Sequence, residues 1–172
     1  MQKNYTSAEI ADIYNRNVNS VYRICFVYMK NKADTEDMTQ NTFLKLVQRG
    51  EVFQNLEHEK GWLIRTAVNL CKNSLKSLWN KTIAFDEQLD SDMFTIIPET
   101  DETLVRVMKL SPKLKTALYL YYYEGYCTAE IAGIMNKPES TIRGYLHRGR
   151  KTLKKEIENE TEGGNIQWKV MN

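Results

Sequence analysis

The sequence has few of the residues that end helices or cross-link a chain. Its 172 residues include only 8 glycines and 3 prolines, too few for the frequent turns of a β-sandwich or barrel. The 3 cysteines are widely spaced, which gives no framework of paired disulfides and fits a reducing cytoplasm. No apolar run approaches the ~20 residues that cross a bilayer, and the first residues lack the hydrophobic core of a secretory signal. These absences favour a helical, cytoplasmic protein.

Charge is distributed unevenly along the chain, although the formal net charge is only +2. Residues 139–155 carry 6 basic residues and 1 acidic residue. Residues 82–103 carry 7 acidic residues and no basic one. This segregation predicts that an anionic partner binds at a particular place on the protein. A surface that bound anions nonspecifically would instead be basic throughout.

Helical periodicity predicts three helices in the first half of the chain. Thr6 and Glu9 have the spacing of a capping box before the first helix, and Asp34 is expected to cap the second. A polar loop over residues 53–60 precedes a third helix over about 59–78. Gly50 closes the second helix in this interpretation.

The second half of the chain is also predicted to be helical. Helical segments are expected over about 104–109, 112–123, 128–135 and 139–157. The sequence therefore predicts an all-α fold of two small helical domains joined by an acidic flexible linker. The predicted parts are a first domain (1–81), the linker (82–103), a second domain (104–160) and a tail (161–172).

The segment from Thr128 to Arg143 has the pattern of a helix-turn-helix. Thr128 is expected to cap its first helix, and Ala132 is small enough for a second helix to cross closely. Asn136 tolerates the left-handed backbone of a tight turn, and Pro138 fits just before the second helix.

The second helix of this motif divides into two faces at ~100° per residue. One stripe is apolar: Ile142, Leu146, Gly149, Leu153 and Ile157. The other is polar and basic: Ser140, Arg143, Gly144, His147, Lys151 and Lys154. Arg143 is the side chain best placed to contact a base edge in a major groove, and the other cations are better suited to phosphates. The alternative is an ordinary solvated charged helix. The cluster of tyrosines over residues 119–126 favours core packing over base stacking.

The third helix carries a second polar stripe that combines cations, amides and an aromatic ring. Its members are Trp62, Arg65, Asn69, Lys72, Asn73 and Lys76. Such a surface suits a partly melted duplex, because aromatic side chains stack on unpaired bases. The preceding loop would hold an extruded base. Both alternatives stay open, since amphipathic helices commonly expose Lys and Asn, and Trp62 can equally be a core anchor.

A third surface follows one face of the second helix. It consists of Asp37, Gln40, Asn41, Leu44 and Gln48, at i, i+3, i+4 spacing. A polar stripe with one apolar residue is either a protein-docking face or plain solvent surface.

The ordered series of these segments resembles the extracytoplasmic-function (ECF) group of bacterial sigma factors, which have regions 2 and 4 and no third domain between them. Residues 34–44 look like the segment that docks on the clamp helices of RNA polymerase. Residues 62–73 are similar to the helix that recognises the promoter minus-ten element. Residues 110–115 with 119–147 resemble region 4, which reads the minus-thirty-five element.

The resemblance implies an alternative sigma factor that binds core RNA polymerase and directs promoter recognition, DNA melting and transcription initiation. It implies that Asp37, Gln40, Asn41, Leu44 and Gln48 contact the polymerase, although the family usually has an acidic residue where Asn41 stands. Around an unpaired minus-ten base it places Phe53, Gln54, Asn55, Trp62, Arg65, Asn69, Lys72, Asn73 and Lys76. At the minus-thirty-five element it places Thr128, Glu139, Ser140, Thr141, Arg143, Gly144, His147, Arg148 and Lys151.

The same resemblance implies an anti-sigma factor as a partner, often anchored in the membrane, which would hold the protein at the inner face of that membrane. The main alternative is a helix-turn-helix regulator that binds duplex DNA without polymerase. An enzyme is not expected: His58 and His147 are far apart in sequence, and no Cys/His spacing suits zinc. We therefore expect no cofactor, no metal and no small-molecule substrate.

Overall fold

A computed structural model of the chain describes residues 5–49, 51–80 and 102–161. Helices account for the regular structure of these residues, and no strand occurs among them, which confirms the predicted all-α fold class. None of the helices in these ranges is long and apolar enough to cross a membrane. The helices are α1 (Ser7–Met29), α2 (Lys32–Gln48), α3 (Leu56–Asn80), α4 (Glu102–Met108), α5 (Pro112–Tyr122), α6 (Thr128–Met135) and α7 (Glu139–Thr161).

The caps of α1 and α2 are formed by local side-chain hydrogen bonds. Thr6 is the N-cap of α1, and its capping box with Glu9 is present as predicted. The N-cap of α2 is Asn31, whose side chain accepts a hydrogen bond of 2.8 Å from Asp34 N. The prediction that Asp34 caps this helix was therefore wrong. Asp34 lies in the first turn, where its charge is favourable next to the helix dipole, and Gly50 lies outside the described residues.

The third helix begins earlier than its sequence predicts. It starts at Leu56, because Asn55 Oδ1 accepts a hydrogen bond of 2.7 Å from His58 N and so satisfies one of the free amides of the first turn. The polar loop expected over residues 53–60 is consequently confined to residues 51–55 of the described chain.

Helices α1, α2 and α3 pack against one another. On α3, the residues Leu63, Ala67 and Cys71 are buried in this core. Beside this core, Glu59 is 5% exposed and joins α3 to α1: it accepts hydrogen bonds from Asn17 Nδ2 at 2.6 Å and Arg16 Nη2 at 2.9 Å. The hydrogen bond that Arg16 donates to Glu59 raises the pKa of Arg16. A buried carboxylate needs such partners, since an unpaired one would be costly.

Helices α4 to α7 form the second group, in which α5 and α7 pack against each other. Helix α4 begins at Glu102, two residues before the predicted start of the second domain, and α7 continues to Thr161 rather than 157. The remaining residues of the predicted linker, 82–101, and of the tail, 162–172, lie outside the described residues.

The predicted helix-turn-helix is formed by α6 and α7. Its turn contains Asn136 at φ 53°, in the left-handed region, and Pro138 directly precedes α7, as expected. The N-cap of α6 is Cys127 rather than Thr128; the carboxylate of Glu130 accepts a hydrogen bond of 2.8 Å from Cys127 N. Cys127 is exposed, whereas Cys25 and Cys71 are buried.

The apolar stripe of α7 lies on α5. Ile142, Leu146 and Leu153 are buried, and Ile157 is half-buried. A Cβ atom at Gly149 would lie 2.6 Å from Leu118 Cδ1, so the two helices approach this closely only because position 149 has no side chain.

The two groups of helices contact each other through α1 with α5 and through α3 with α6. Lys115 of α5 is completely buried in the described structure, and its Nζ has no hydrogen-bond partner there. Burial lowers the pKa of Lys115 to about 7, and the charge of Lys30, at the end of α1, acts in the same direction. A buried polar group of this kind destabilises the state that contains it.

Candidate nucleic-acid interface

The basic face of α7 is open to solvent. Five of the residues predicted to contact the minus-thirty-five element are exposed: Ser140, Arg143, His147, Arg148 and Lys151. The other four, Thr128, Glu139, Thr141 and Gly144, are half-buried. All nine residues predicted to contact the minus-thirty-five element therefore lie on the helix-turn-helix. Tyr145, which lies among these residues on the same helix, is 7% exposed and belongs to the core.

At the N-terminal end of this face, Glu139 links two of the predicted DNA contacts. Its Oε1 accepts a hydrogen bond from the Thr128 hydroxyl and another, of 2.8 Å, from Arg143 Nη2. The bond from Thr128, followed by that from Arg143, holds the pKa of Glu139 below its usual value. The carboxylate thus contacts Arg143 and Thr128 together at the protein surface.

Two further arginines of α7 lie against aromatic rings. The guanidinium of Arg148 is 5.4 Å from the centre of the Tyr145 ring. Arg150 Nε donates a hydrogen bond of 2.8 Å to Tyr122 Oη, and its guanidinium is 5.8 Å from the Tyr121 ring. Tyr121 and Tyr122 are exposed, so the expected core role of the tyrosine cluster holds for Tyr119, which is 2% exposed, but not for this pair.

The loop over residues 51–55 is organised around the Phe53 ring. Trp62 lies 5.6 Å from it between ring centres, and the Arg49 guanidinium lies 4.6 Å from Phe53 and 5.0 Å from Trp62. On the other side, Tyr5 Oη accepts a hydrogen bond of 2.7 Å from Phe53 N. Both predicted aromatics are thus half-buried in a cluster. Sequence reasoning missed Arg49 and Tyr5, since neither lies in a recognisable pattern.

An open cavity of about 270 Å³ lies beside this loop, between α1 and the start of α3. Phe53 and Asn55 line it together with Arg16 and Glu59. Gln54 is exposed next to it, and its backbone N donates to His58 Nδ1 at 3.4 Å. Of the groups that line the cavity, the Phe53 ring and the Asn55 amide have the chemistry expected for contact with an unstacked base, whereas Arg16 is paired with Glu59 and two further carboxylates, Glu9 and Asp12, are present.

Along α3 the predicted polar stripe is only partly exposed. Arg65, Asn69, Asn73 and Lys76 are exposed, whereas Trp62 and Lys72 are half-buried. Lys72 Nζ donates a hydrogen bond of 2.9 Å to Met135 O, and burial lowers the pKa of Lys72. Part of the stripe, at Arg65 and Lys72, thus lies next to α6.

A groove of about 600 Å³ runs between α1 and α2. Gln40 and Leu44 line it, and Leu44 is 50% exposed. Tyr14 of α1 and Val47 of α2 add exposed apolar surface that the sequence did not indicate. The remaining residues of the predicted docking face lie outside this groove: Asp37 and Gln48 are exposed, and Asn41 is half-buried.

Comparison with known families matches two parts of the chain. The family model of Sigma-70 region 2 matches residues 13–81, and that of Sigma-70, region 4 matches residues 101–153. The first match contains the docking face, the loop and the stripe on α3, and the second contains the helix-turn-helix.

Curated relatives extend this similarity over most of the chain. The ECF RNA polymerase sigma factor SigW of Bacillus subtilis is 24% identical over 168 residues, which cover 87% of this chain and 88% of SigW. The RNA polymerase sigma factor SigV of Bacillus subtilis is 25% identical over an alignment that covers 92% of this chain and 97% of SigV. Among solved structures, the sigma factor RpoE of Bartonella quintana, in complex with the anti-sigma factor NepR, has a similar fold. The TM-score is 0.68 at 16% identity, over 86% of this chain and 96% of RpoE.

Proposed function

Since the chain belongs to the sigma-70 family, as an ECF-type RNA polymerase sigma factor that directs transcription initiation, we propose how its surfaces divide this work. Sigma factors are DNA-binding initiation factors without enzymatic activity. In this proposal α7 reads duplex DNA at the minus-thirty-five element, α3 with the loop over residues 51–55 captures an opened strand at the minus-ten element, and α2 docks on core polymerase.

The exposed basic face of α7 is the observation that carries the proposal. It presents Arg143 for base contact at the end of the helix that would enter the major groove first, and Lys151 and Lys154 further along for phosphates. The Glu139 contact supports this role, because an arginine held in one orientation loses less conformational freedom on binding.

The groove between α1 and α2 supports the docking role of α2. Exposed apolar side chains are normal singly, but Tyr14, Leu44 and Val47 are 43%, 50% and 57% exposed around one groove. An apolar centre with a polar rim is typical of a protein interface. Asp37, Asn41 and Gln48 would form part of that rim against the clamp helices of the polymerase.

The cavity beside Phe53 supports capture of a single base from the melted strand. Phe53 and Asn55 would contact the captured base. Trp62, Arg65 and Asn69 would lie along the neighbouring bases of the strand, and the cations of α3 would lie near its phosphates. Promoter opening would follow because the captured base can no longer re-pair.

Two partners follow from this assignment, core RNA polymerase and promoter DNA, and both place the protein in the bacterial cytoplasm. An anti-sigma factor is a third, as RpoE is solved with one. A membrane-anchored anti-sigma factor would hold the chain at the inner face of the membrane.

Transcription in vitro tests the function directly. Purified chain is mixed with sigma-free core polymerase on genomic fragments, and start sites are mapped. The expected result is initiation at a set of promoters that share two spaced elements. If no template supports initiation while the chain alone binds duplex promoter DNA tightly, the alternative of a polymerase-independent regulator takes its place.

A further inference from the structure

Two exposed tyrosines at the end of α5 hold an arginine of α7 in place. Arg150 Nε donates a hydrogen bond of 2.8 Å to Tyr122 Oη. The guanidinium carbon of Arg150 lies 5.8 Å from the centre of the Tyr121 ring and 5.8 Å from the centre of the Tyr122 ring. The two rings meet edge to face, with 5.0 Å between their centres. Two rings and one hydroxyl thus fix the position of a long side chain that is itself exposed.

The charge of Arg150 is not neutralised by a carboxylate in the part of the chain that the structure describes. Four other arginines are paired with carboxylates: Arg16, Arg49, Arg106 and Arg143. Arg150 instead makes its hydrogen bond to a neutral hydroxyl. Only one of its five N–H groups is used by that bond, so the donors on Nη1 and Nη2 are available to an anion.

The Tyr122 hydroxyl also keeps a hydrogen that it can donate. A hydroxyl has one hydrogen to donate and lone pairs that accept. The Tyr122 oxygen accepts from Arg150, and its own hydrogen is bonded to no acceptor within the described ranges. The O–H of Tyr122 and the guanidinium of Arg150 therefore present donors side by side. A phosphate diester, whose charged oxygens only accept, matches such a set of donors.

Arg150 lies along the face of α7 that we propose meets DNA. By helical geometry Arg143, His147, Arg150 and Lys154 lie within about 60° of one another around the axis. Arg150 follows Arg143 by about 10.5 Å along the helix. The major groove is about 12 Å wide. When Arg143 meets a base edge, Arg150 therefore lies near the sugar–phosphate backbone at the rim of the groove.

We propose that Arg150 and Tyr122 form a phosphate clamp, which binds one backbone phosphate of the promoter duplex at the edge of the minus-thirty-five element. Tyr121 supports the arginine with its ring and does not contact the phosphate. The clamp adds α5 to the DNA interface. It contributes affinity without sequence information, because every base pair has the same phosphate. This inference rests on the proposed function, since promoter recognition brings the duplex to α7.

Removal of one hydroxyl tests the clamp with little change to the fold. Tyr122→Phe keeps the ring but removes the acceptor for Arg150 and the donor for phosphate. Holoenzyme formed with core polymerase should then bind duplexes of mapped promoters roughly 3- to 10-fold more weakly, whatever their sequence. Tyr121→Phe removes a hydroxyl from the neighbouring exposed ring and should leave binding unchanged. Circular dichroism melts verify that each variant is folded.

The salt dependence of binding tests the charge of Arg150. Arg150→Met should lower the slope of log affinity against log salt concentration by about 0.9, the value for one phosphate. Arg150→Lys should keep this slope because it keeps the charge. Lys113→Met, which removes an exposed cation from the other end of α5, should leave the slope unchanged.

A neutral phosphate analogue locates the clamp on the DNA. Duplexes that each contain one methylphosphonate are compared across both strands around the minus-thirty-five element. At one linkage the analogue should weaken binding of the unaltered holoenzyme roughly 3- to 10-fold. At that linkage it should weaken Arg150→Met no further, because the arginine that would contact the phosphate is absent. The clamp is excluded if Tyr122→Phe and Tyr121→Phe bind alike, or if every analogue weakens Arg150→Met as much as the unaltered holoenzyme.

Binding to core polymerase without DNA distinguishes the clamp from a protein contact at the same residues. Tyr122→Phe and Arg150→Met should bind the polymerase as the unaltered chain does. If either loses affinity for the polymerase by the factor that it loses for DNA, the residues form a protein contact and the clamp is wrong.

Transcription on the same preparations separates this inference from the proposed function. If the unaltered chain initiates transcription but the clamp variants bind duplex DNA without loss, only the clamp is wrong. If the unaltered chain does not initiate on any template, the proposed function fails.

Discussion

Glu139 and Arg143, one turn apart on α7, form an ion pair of 2.8 Å at the end of the helix that we propose enters the major groove. Glu139 is tied in turn to Thr128 on α6. The arginine best placed to read a base is therefore oriented by both helices of the motif.

Arg143→Ala should reduce discrimination at one or two positions of the minus-thirty-five element by roughly 5- to 150-fold, the value of one bidentate guanine contact. Lys154→Ala should instead weaken all sequences similarly and lower the salt slope of binding by about one. Titrations of duplex variants at several salt concentrations measure both effects. Equal losses on every sequence for both variants would contradict the groove assignment.

The docking face is tested by Asp37→Ala combined with Leu44→Ala. Leu44 is half-exposed in the groove between α1 and α2, so its truncation should remove apolar contact and weaken core-polymerase binding about tenfold. Leu56→Ala, at a similarly exposed apolar position on α3, is the control. Pull-down of core polymerase provides the measurement. Undiminished recovery of polymerase with the double variant would remove the docking role.

Arg49 should matter for promoter opening although it lies outside every predicted contact. Its guanidinium packs on both Phe53 and Trp62, and loss of such contacts costs ~0.5–2 kcal/mol. Arg49→Met should therefore reduce open-complex formation roughly 2- to 30-fold. Arg49→Lys should reduce it less than Arg49→Met does, since lysine keeps the charge but lacks the planar group. Permanganate reactivity of unpaired thymines measures opening. Duplex binding at the minus-thirty-five element should stay unchanged, and a parallel loss there would show general unfolding instead.

Lys115 makes folding stability depend on pH. Its pKa is about 7 in the folded chain against 10.5 for the unperturbed side chain, so the unfolded chain binds more protons between these values. The free energy of unfolding should therefore rise by up to ~1.4 kcal/mol per pH unit from about pH 7 toward pH 10.5. Below pH 7 the contribution of Lys115 to this free energy is constant. The charge of Lys30 lowers the pKa of Lys115 in the same direction as burial does.

The measurement is urea unfolding at pH 7 and pH 9. Lys115→Met should be more stable at pH 7 by ~1–3 kcal/mol and should lose part of the pH dependence, whereas Lys113→Met should keep all of it. An unaltered pH slope in Lys115→Met would show that another group titrates.

Sequence predicted those parts of the fold that depend on local chemistry. Apolar spacing gave the buried face of α7, and Asn136 with Pro138 gave the turn, because each is a property of a few adjacent residues. The capping residues Asn31, Asn55 and Cys127 were misassigned or missed, since several polar residues compete near each helix start and only the backbone geometry decides between them.

What the sequence did not reveal depends on contacts between distant residues. Arg49 meets Trp62 and Glu139 meets Thr128 only after the helices are folded together. The contact between α3 and α6 joins the two predicted domains, and nothing in the periodicity of either helix indicates it.

The close contact of Gly149 with Leu118 determines how α7 lies on α5. A methyl group at position 149 would clash with the end of the Leu118 side chain, and where that side chain cannot turn aside the helix itself would shift. The cationic side chains would then meet the DNA groove at another angle, although none of them had been altered. Under the proposed function, promoter preference would thus be sensitive to an uncharged position on the far side of the helix, which a survey restricted to residues that touch DNA would miss.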